Sequence, residues 1–278
     1  MSGGGGGAMQ GAVGIPSPSG SVLDRLKEGD RRGRRRWTIR FWATWAVLVG
    51  LLLVFLWYTN NLQFDWIAEN GPLILQGAGV TVLVSVASIV LASILALIGA
   101  LGRLSRSPIL NGVASLYVSL VRGTPLIVQV YFIFFALPQI GLVLPAIPSG
   151  ILALGFNYGA YMTEIFRAGI QAVPRGQLEA ASALAMPERM VFRRIVLPQA
   201  FRIVTPAIGN EFIAMIKDSS LVSFITVQEL FWYARTRGTN DARTLQAMAI
   251  AAAFYWALTI IFSFFQERLE RRMARGDR

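Results

Sequence analysis

The sequence predicts an all-α, polytopic membrane protein, and three observations lead there. Of its 278 residues, 54% are hydrophobic and only 15% are charged. The apolar residues come as long unbroken runs instead of recurring at helix or strand period, and a helix needs about 20 such residues to cross the bilayer. The cations collect in alternate linkers between those runs, as they do in membrane proteins. The chain has no cysteine and no histidine. Disulfides, thiol chemistry and cysteine-based metal sites are excluded, and the commonest general base and metal ligand is missing. No catalytic constellation is visible, so no enzyme activity, metal or cofactor is expected. A net charge of +11 would suggest nucleic acid in a soluble protein. The apolar runs argue against that partner and for membrane lipid.

Each element follows in order. Residues 1–20, rich in Gly, Ser, Pro and Ala, cannot bury a core. With the basic cluster from Arg25 to Arg40 they read as a disordered basic N-terminus over residues 1–40. The first apolar run, Phe41 to Tyr58, has aromatics at both ends. Basic-then-apolar is also the pattern of a signal peptide. However, the run has spanning length, and Thr59-Asn60-Asn61 offers no small-residue cleavage site, so a retained span is expected; with its link it occupies 41–70. The second run, Leu73 to Leu101, carries Gly77, Thr81 and Ser85 at spacing four, continued by Ser88 and Ala92. Small residues on one face let helices approach closely in lipid. The third run, Ile109 to Leu137, has Arg122-Gly123-Thr124-Pro125 in its interior. A proline-rich link, 138–149, precedes the fourth run, Gly150 to Ile170. A polar segment, 171–202, separates it from the fifth, Ile203 to Leu230. The sixth is Leu245 to Phe265, and a charged tail ends the chain.

Charge arithmetic orients these six spans. Twenty-one of the 26 Lys and Arg fall in the N-terminus, the 102–108 loop, the 167–202 segment and the tail, against three in the 59–70, 138–149 and 231–244 loops. That bias places both termini in the cytoplasm. Trp232 and Tyr233, after the fifth span, read either as an interfacial anchor or as a docking point for an extracytoplasmic partner.

The polar segment reads as two short helices. Pro174 suits a first helical turn; Gln177 to Met186 has few breakers; Pro187 interrupts. Glu188 to Val196 is the second helix, with Arg189, Arg193 and Arg194 on a polar face, and Pro198 is expected to break the chain before the next span. Such a hairpin serves either as a lever on the spans it joins or as an amphipathic element lying in the interface.

The stretch Gly176-Gln177-Leu178-Glu179-Ala180-Ala181, followed by Ile195-Val196-Leu197-Pro198, resembles the cytoplasmic coupling loop of binding-protein-dependent amino-acid ABC importer permeases. Three other segments are similar to that family: Arg122-Gly123-Thr124-Pro125 through Gln129, Gly159-Ala160-Tyr161 through Glu164 to Arg167, and Lys217-Asp218-Ser219-Ser220-Leu221. The resemblance covers about 71–270. It implies a type I importer core of five transmembrane helices, here with one extra N-terminal transmembrane helix, in a bacterial inner membrane. By resemblance, the 171–198 loop docks on a cytoplasmic ATPase subunit, with Gly176, Gln177, Glu179, Ala180, Ala181 and Ala185 as its coupling residues. Glu179 faces that subunit, while Ala180 and Ala181 allow close helix contact. Two ATPase subunits, an extracytoplasmic solute-binding protein and a second permease, identical or related, complete the assembly, and the cargo is an L-amino acid. The family usually has glycine where this chain has Ala185, which implies a turn made differently, through Pro187.

Sequence supports that division of labour. A P-loop needs Gly-Lys followed by Ser or Thr, whereas Lys27 and Lys217 follow Leu26 and Ile216. The family motifs place polar Arg122, Gln129, Glu164, Lys217 and Asp218 in or near the spans, where a central charge costs at least about 2.5–3.5 kcal/mol. Glu164 and Arg167, three apart, suit a structural pair. Lys217 and Asp218 suit a gate or a neutralised pair. Asn157, Tyr158 and Tyr161, with Asn210 and Glu211, are the candidates for the solute pathway; the competing role is hydrogen bonding between helices. A self-contained channel without an ATPase is the alternative reading.

Overall fold

Between Gly20 and Asn60 the sequence has no proline and is rich in Leu and Arg, both good helix formers. A single 41-residue helix, α1, occupies that range. The computed structural model describes residues 20–60 and 63–274. The disorder expected of residues 1–19 lies outside the described residues. Residues 20–40 form the first half of α1. Arg35–Phe55 is long and apolar enough to cross a membrane. Trp37 and Phe41 stack one turn apart, with centroids 5.2 Å apart. Residues 1–62 and 63–278 are separate units.

The second unit is strung along α2, Phe64–Leu104, about 60 Å of helix at 1.5 Å per residue. It begins well before the apolar run, so most of the expected 59–70 link after Gln63 is helical. Its small residues form one buried seam: Gly77, Thr81, Ser85, Ser88 and Ala92, then Ala96, Gly99 and Ala100. In lipid there is little hydrophobic force between helices, so close van der Waals packing has to supply the association. The partner of that seam is α5, Ala146–Gln171, the helix with which α2 shares its largest contact. A Cβ on Gly99 would clash with Thr163 Oγ1, and one on Gly159 would lie 2.7 Å from Tyr117 Oη.

The third run is not one straight helix. α3, Pro108–Arg122, and α4, Leu126–Ala136, are bent by 108° when taken with the 3-10 turn that ends at Ile140. Pro125 has no N–H and disfavours the helical region for Thr124, so the helix ends there. The fifth run is also broken. α6, Arg175–Ala183, and α7, Glu188–Val191, form the polar segment. α7 runs through a π-helical stretch, Phe192–Val196, into α8, Leu197–Asp218. Pro198 therefore does not break the chain. The wider π register, in which Leu197 N–H reaches Phe192 O, absorbs the local disruption as π-bulges do. After Asp218 the chain tightens to 3-10 geometry over Ser219–Ile225, where the Ser219 hydroxyl donates to Ile216 O at 2.7 Å. The expected 231–244 loop is largely helical: α9 spans Leu230–Asn240. α10, Thr244–Ala274, closes the fold.

By length and apolarity, α1, α2 and α10 qualify as uninterrupted spans and the α3–α4 pair as one bent span. The fourth and fifth runs correspond to α5 and α8, with 26 and 22 residues, about 39 and 33 Å long. Their polar side chains make them less apolar than those spans. Several of these, including Asn157 and Thr163 on α5, are buried inside the protein.

Two buried clusters result. The larger gathers Val84 and Ala92 from α2, Leu154, Tyr158 and Met162 from α5, Met215 from α8, and Val222 and Ile225. The smaller joins Trp66 and Ile74 to Leu230, Ala234, Ala247 and Ala251. Glu229 links the ends of this second cluster. It is wholly buried, and its carboxylate accepts from the Phe231 and Trp232 N–H groups at 2.9 and 2.8 Å, capping α9. It also accepts from Tyr255 Oη of α10 and, at 3.4 Å, from Thr81 Oγ1 of α2. Thr81 Oγ1 in turn accepts from Leu230 N–H. Close approach at Gly77 makes this possible, because a Cβ there would lie 2.5 Å from Leu230 N. Gly77→Ala is therefore expected to destabilise the protein by about 1–3 kcal/mol, the usual range for overpacking. A lower thermal midpoint in detergent, with the α9 amides exchanging faster, is the expected readout; an unchanged midpoint contradicts the seam.

Candidate functional site: a polar cavity and an exposed helical elbow

The bend between α3 and α4 leaves carbonyls without helical partners, and Gln129 supplies them. Its Nε2 donates to Val121 O at 2.8 Å and to Thr124 O and Oγ1 at 3.1 and 2.9 Å. Its Oε1 accepts from Asn157 Nδ2 at 3.1 Å, so one amide fixes the bend and ties it to α5. The break after α8 is held similarly: Tyr158 Oη donates to Asp218 at 2.7 Å.

These two breaks frame a cavity of about 280 Å³, lined by Thr124, Pro125, Leu126, Asn157, Tyr158, Tyr161, Glu211 and Asp218. Four of the five pathway candidates meet there. Asn210 does not line it; its Oδ1 accepts from Gln266 Nε2 of α10 at 2.9 Å. Glu211, one residue on, projects about 100° away around the helix and reaches the cavity. Arg122 lies beside it, with its guanidinium carbon 5.2 Å from the centre of the Tyr161 ring, within cation–π range. The wall therefore offers two carboxylates, an amide, two phenols and a neighbouring guanidinium. Such groups can hold an ammonium and a carboxylate at once. Lys217 is exposed and, among the described residues, forms no ion pair with Asp218, whose hydrogen bond goes to Tyr158 instead.

Glu164 is the centre of a separate cluster. It bonds Arg167 at 2.7 Å, the pair its spacing suggests, and also Arg103 of α2 at 3.2 Å. Arg103 further donates to Ser115 of α3. Three helices are thereby joined at one end of α5.

The 171–198 segment forms an elbow. Gly176, Gln177, Glu179 and Ala180 are exposed on α6, as are Arg189, Arg193 and Arg194 beyond it. Ala181 is only 2% exposed, so of the two small residues proposed for contact with a partner, one is buried within this chain. Gln199 Nε2 donates to Gln177 Oε1 at 2.6 Å, fastening α6 to α8. The turn corrects another expectation. Ala185 adopts φ 51°, the left-handed conformation that glycine prefers. Its N–H reaches Ser182 O at 2.9 Å, while Met186 N–H reaches Ala181 O at 3.1 Å. These are the two bonds of a Schellman cap. The turn is thus the one glycine would make, with alanine bearing the strain, and Pro187 begins the next helix.

Sequence reading missed Glu229, Thr81 and Tyr255 as a unit, and it did not assign Thr124, Pro125 or Leu126 to the cavity. Glu229 carried one signal: it is the only acidic residue between Asp218 and Asp241, and it stands at the end of an apolar run.

Broken helices thus wall a polar cavity, and the exposed elbow continues into one of those walls through α8. The chain belongs to the family of binding-protein-dependent transport system inner membrane components, whose model matches residues 88–275; its relatives place it among amino-acid ABC transporter permeases. It is 42% identical over 205 residues to the L-cystine transport system permease protein TcyB of Bacillus subtilis, covering 73% of this chain and 88% of that protein. It is 34% identical over 218 residues to the arginine transport system permease protein ArtQ of the same organism, covering 78% and 100%. Among solved structures it matches that of an amino acid ABC transporter with histidines, with TM-score 0.71, 37% identity and coverage of 76% of this chain and 99% of that one. The MetNI methionine ABC transporter, at 19% identity and TM-score 0.63 over 72% of this chain and 96% of that one, shares the fold.

Because an L residue in the left-handed region costs about 1–2 kcal/mol, Ala185→Gly is expected to stabilise the elbow by about 1 kcal/mol. Exchange of the Ala185 and Met186 amides should slow by about five-fold in the full chain. Unchanged or faster exchange would show that the alanine is not strained.

Proposed function

We propose that this chain forms one half of the translocation pathway of an ATP-driven importer for an L-amino acid. In this reading, residues 71–270 make the permease domain. The 171–198 elbow receives the stroke of a cytoplasmic ATPase subunit, and a solute-binding protein delivers cargo at the opposite face. The observation that carries the proposal is that one helix joins the two sites: α8 starts from the elbow, and Glu211 and Asp218 on its far half line the cavity. A tilt of the elbow would move two carboxylates of the cavity wall.

Both termini lie in the cytoplasm on the charge asymmetry, so α1 adds a span ahead of the importer core. One cavity wall does not enclose a pathway, so two permease chains, identical or related, face each other. The cargo is a zwitterion: Glu211 and Asp218 suit its ammonium, and Arg122 suits its carboxylate. Relatives named for L-cystine and arginine fit a solute carrying a second cationic group. The ATP is hydrolysed on the partner subunit, not on this chain.

Reconstitution of the chain with a matching ATPase and binding protein tests this. Uptake of a radiolabelled amino acid should require ATP, and uptake without ATP would favour a channel. Glu179→Arg reverses an exposed charge on α6 that has no ion-pair partner among the described residues. It should lower ATP-dependent uptake at least about ten-fold, the effect of losing ~1.4 kcal/mol, with membrane insertion and binding-protein affinity unchanged. Unaltered uptake would remove Glu179 from the coupling surface.

A further inference from the structure

α2 and α3 touch at Gly102 and Ala114, where a Cβ on the glycine would lie 2.9 Å from the alanine Cβ. Around that point they enclose an open apolar groove of about 670 Å³ that the transport reading does not use. Ile98, Leu110 and Val113 line it with 63%, 56% and 65% of their surfaces exposed. Its deep end is closed where Tyr117 Oη donates to Phe156 O at 2.7 Å. From Ser105 at the mouth to Leu95 inside, it follows α2 for ten residues, about 15 Å. That is roughly half of the ~30 Å hydrocarbon core, the depth of one leaflet.

Two arginines stand within two residues of Ser105 in the chain. Arg103 is occupied by Glu164 and Ser115. Arg106, in the turn between α2 and α3, is exposed and has no hydrogen-bonding or ionic partner among the described residues. An unmatched guanidinium at the level where an apolar slot one leaflet deep opens is complementary to an acyl chain joined to an anionic headgroup. We propose that the groove is a binding site for one anionic phospholipid, its chain along Ile98, Leu110 and Val113 and its phosphate on Arg106. Bound there, the lipid splints α3 against α2 beside the Arg103–Glu164 contact.

The test is native mass spectrometry of the full-length chain in detergent, titrated with phosphatidylglycerol or with phosphatidylcholine of the same acyl chains. The wild type should retain about one phosphatidylglycerol with roughly five-fold preference, the order expected of one arginine at an anionic surface. Arg106→Ala should bring retention down to the phosphatidylcholine level. Leu110→Trp, which fills the slot, should lower retention of both lipids, and Val113→Trp does the same should the first variant melt below the wild type. Equal retention of the two lipids by the wild type, or a preference that survives Arg106→Ala, overturns the proposal in favour of annular lipid only. Tryptophan variants that lower the dimer fraction while lipid retention holds would assign the groove to a second copy of the chain, and also overturn it.

Discussion

Inside hydrocarbon, a polar group without a partner costs several kcal/mol, and this structure is organised around meeting that requirement. At two of the departures from regular helix a side chain takes up the freed backbone groups. Gln129 serves the carbonyls freed at the α3–α4 bend. Glu229 serves the free N–H groups of α9, and is itself supported by Tyr255 and Thr81. Glu164 pairs with two arginines at once. The small residues of α2 belong to the same scheme. With Gly77 in the seam the α2 backbone comes close enough to Leu230 for Thr81 to bond both Leu230 N–H and Glu229.

Irregular backbone at membrane depth is tolerated where it is buried in protein or lines a cavity. Both breaks here do so. The Thr124–Pro125 corner and the end of α8 at Asp218 line the same cavity, and Gln129, Asn157 and Tyr158 anchor those breaks to α5. The bonds that make the breaks affordable thus also present polar groups to the cavity. α8 then supplies continuity. It runs without interruption from the π stretch at the elbow to the cavity wall, and the hydrogen bond between Gln177 and Gln199 holds the elbow to its first turns.

Much of this was legible in the sequence. The spacing of Gly77, Thr81, Ser85, Ser88 and Ala92 marks a packing seam, and α2 buries all five. Glu164 and Arg167 are close enough in sequence for their pairing to be read directly. The two short helices of the polar segment follow from Pro174 and Pro187. What escaped was local backbone geometry that propensity does not show, and bonding between distant segments. A hydropathy run reports apolarity and not direction, so a 108° bend inside the third run leaves no trace beyond Gly123-Thr124-Pro125. Pro198 reads as a break because local rules omit the π register that absorbs it. Ala185 reads as unsuited to a left-handed turn because its own preference is visible, whereas the two Schellman bonds that hold it there are not. Glu229 reads only as a lone carboxylate near the end of the fifth run, since two of its four donors come from distant Thr81 and Tyr255.

The native chain has no cysteine, so single cysteines introduced at Tyr161 and Glu211, with one at Ser85 in the buried seam as control, ask directly whether the polar cavity lies on a water-filled solute path. In the reconstituted transporter, a membrane-impermeant thiol reagent should modify the cysteines at 161 and 211, and saturating transported amino acid should slow that modification at least several-fold. The cysteine at 85 should stay unmodified throughout. Labelling at 161 and 211 that is absent, or that proceeds at the same rate with and without the solute, would contradict a translocation role for the cavity.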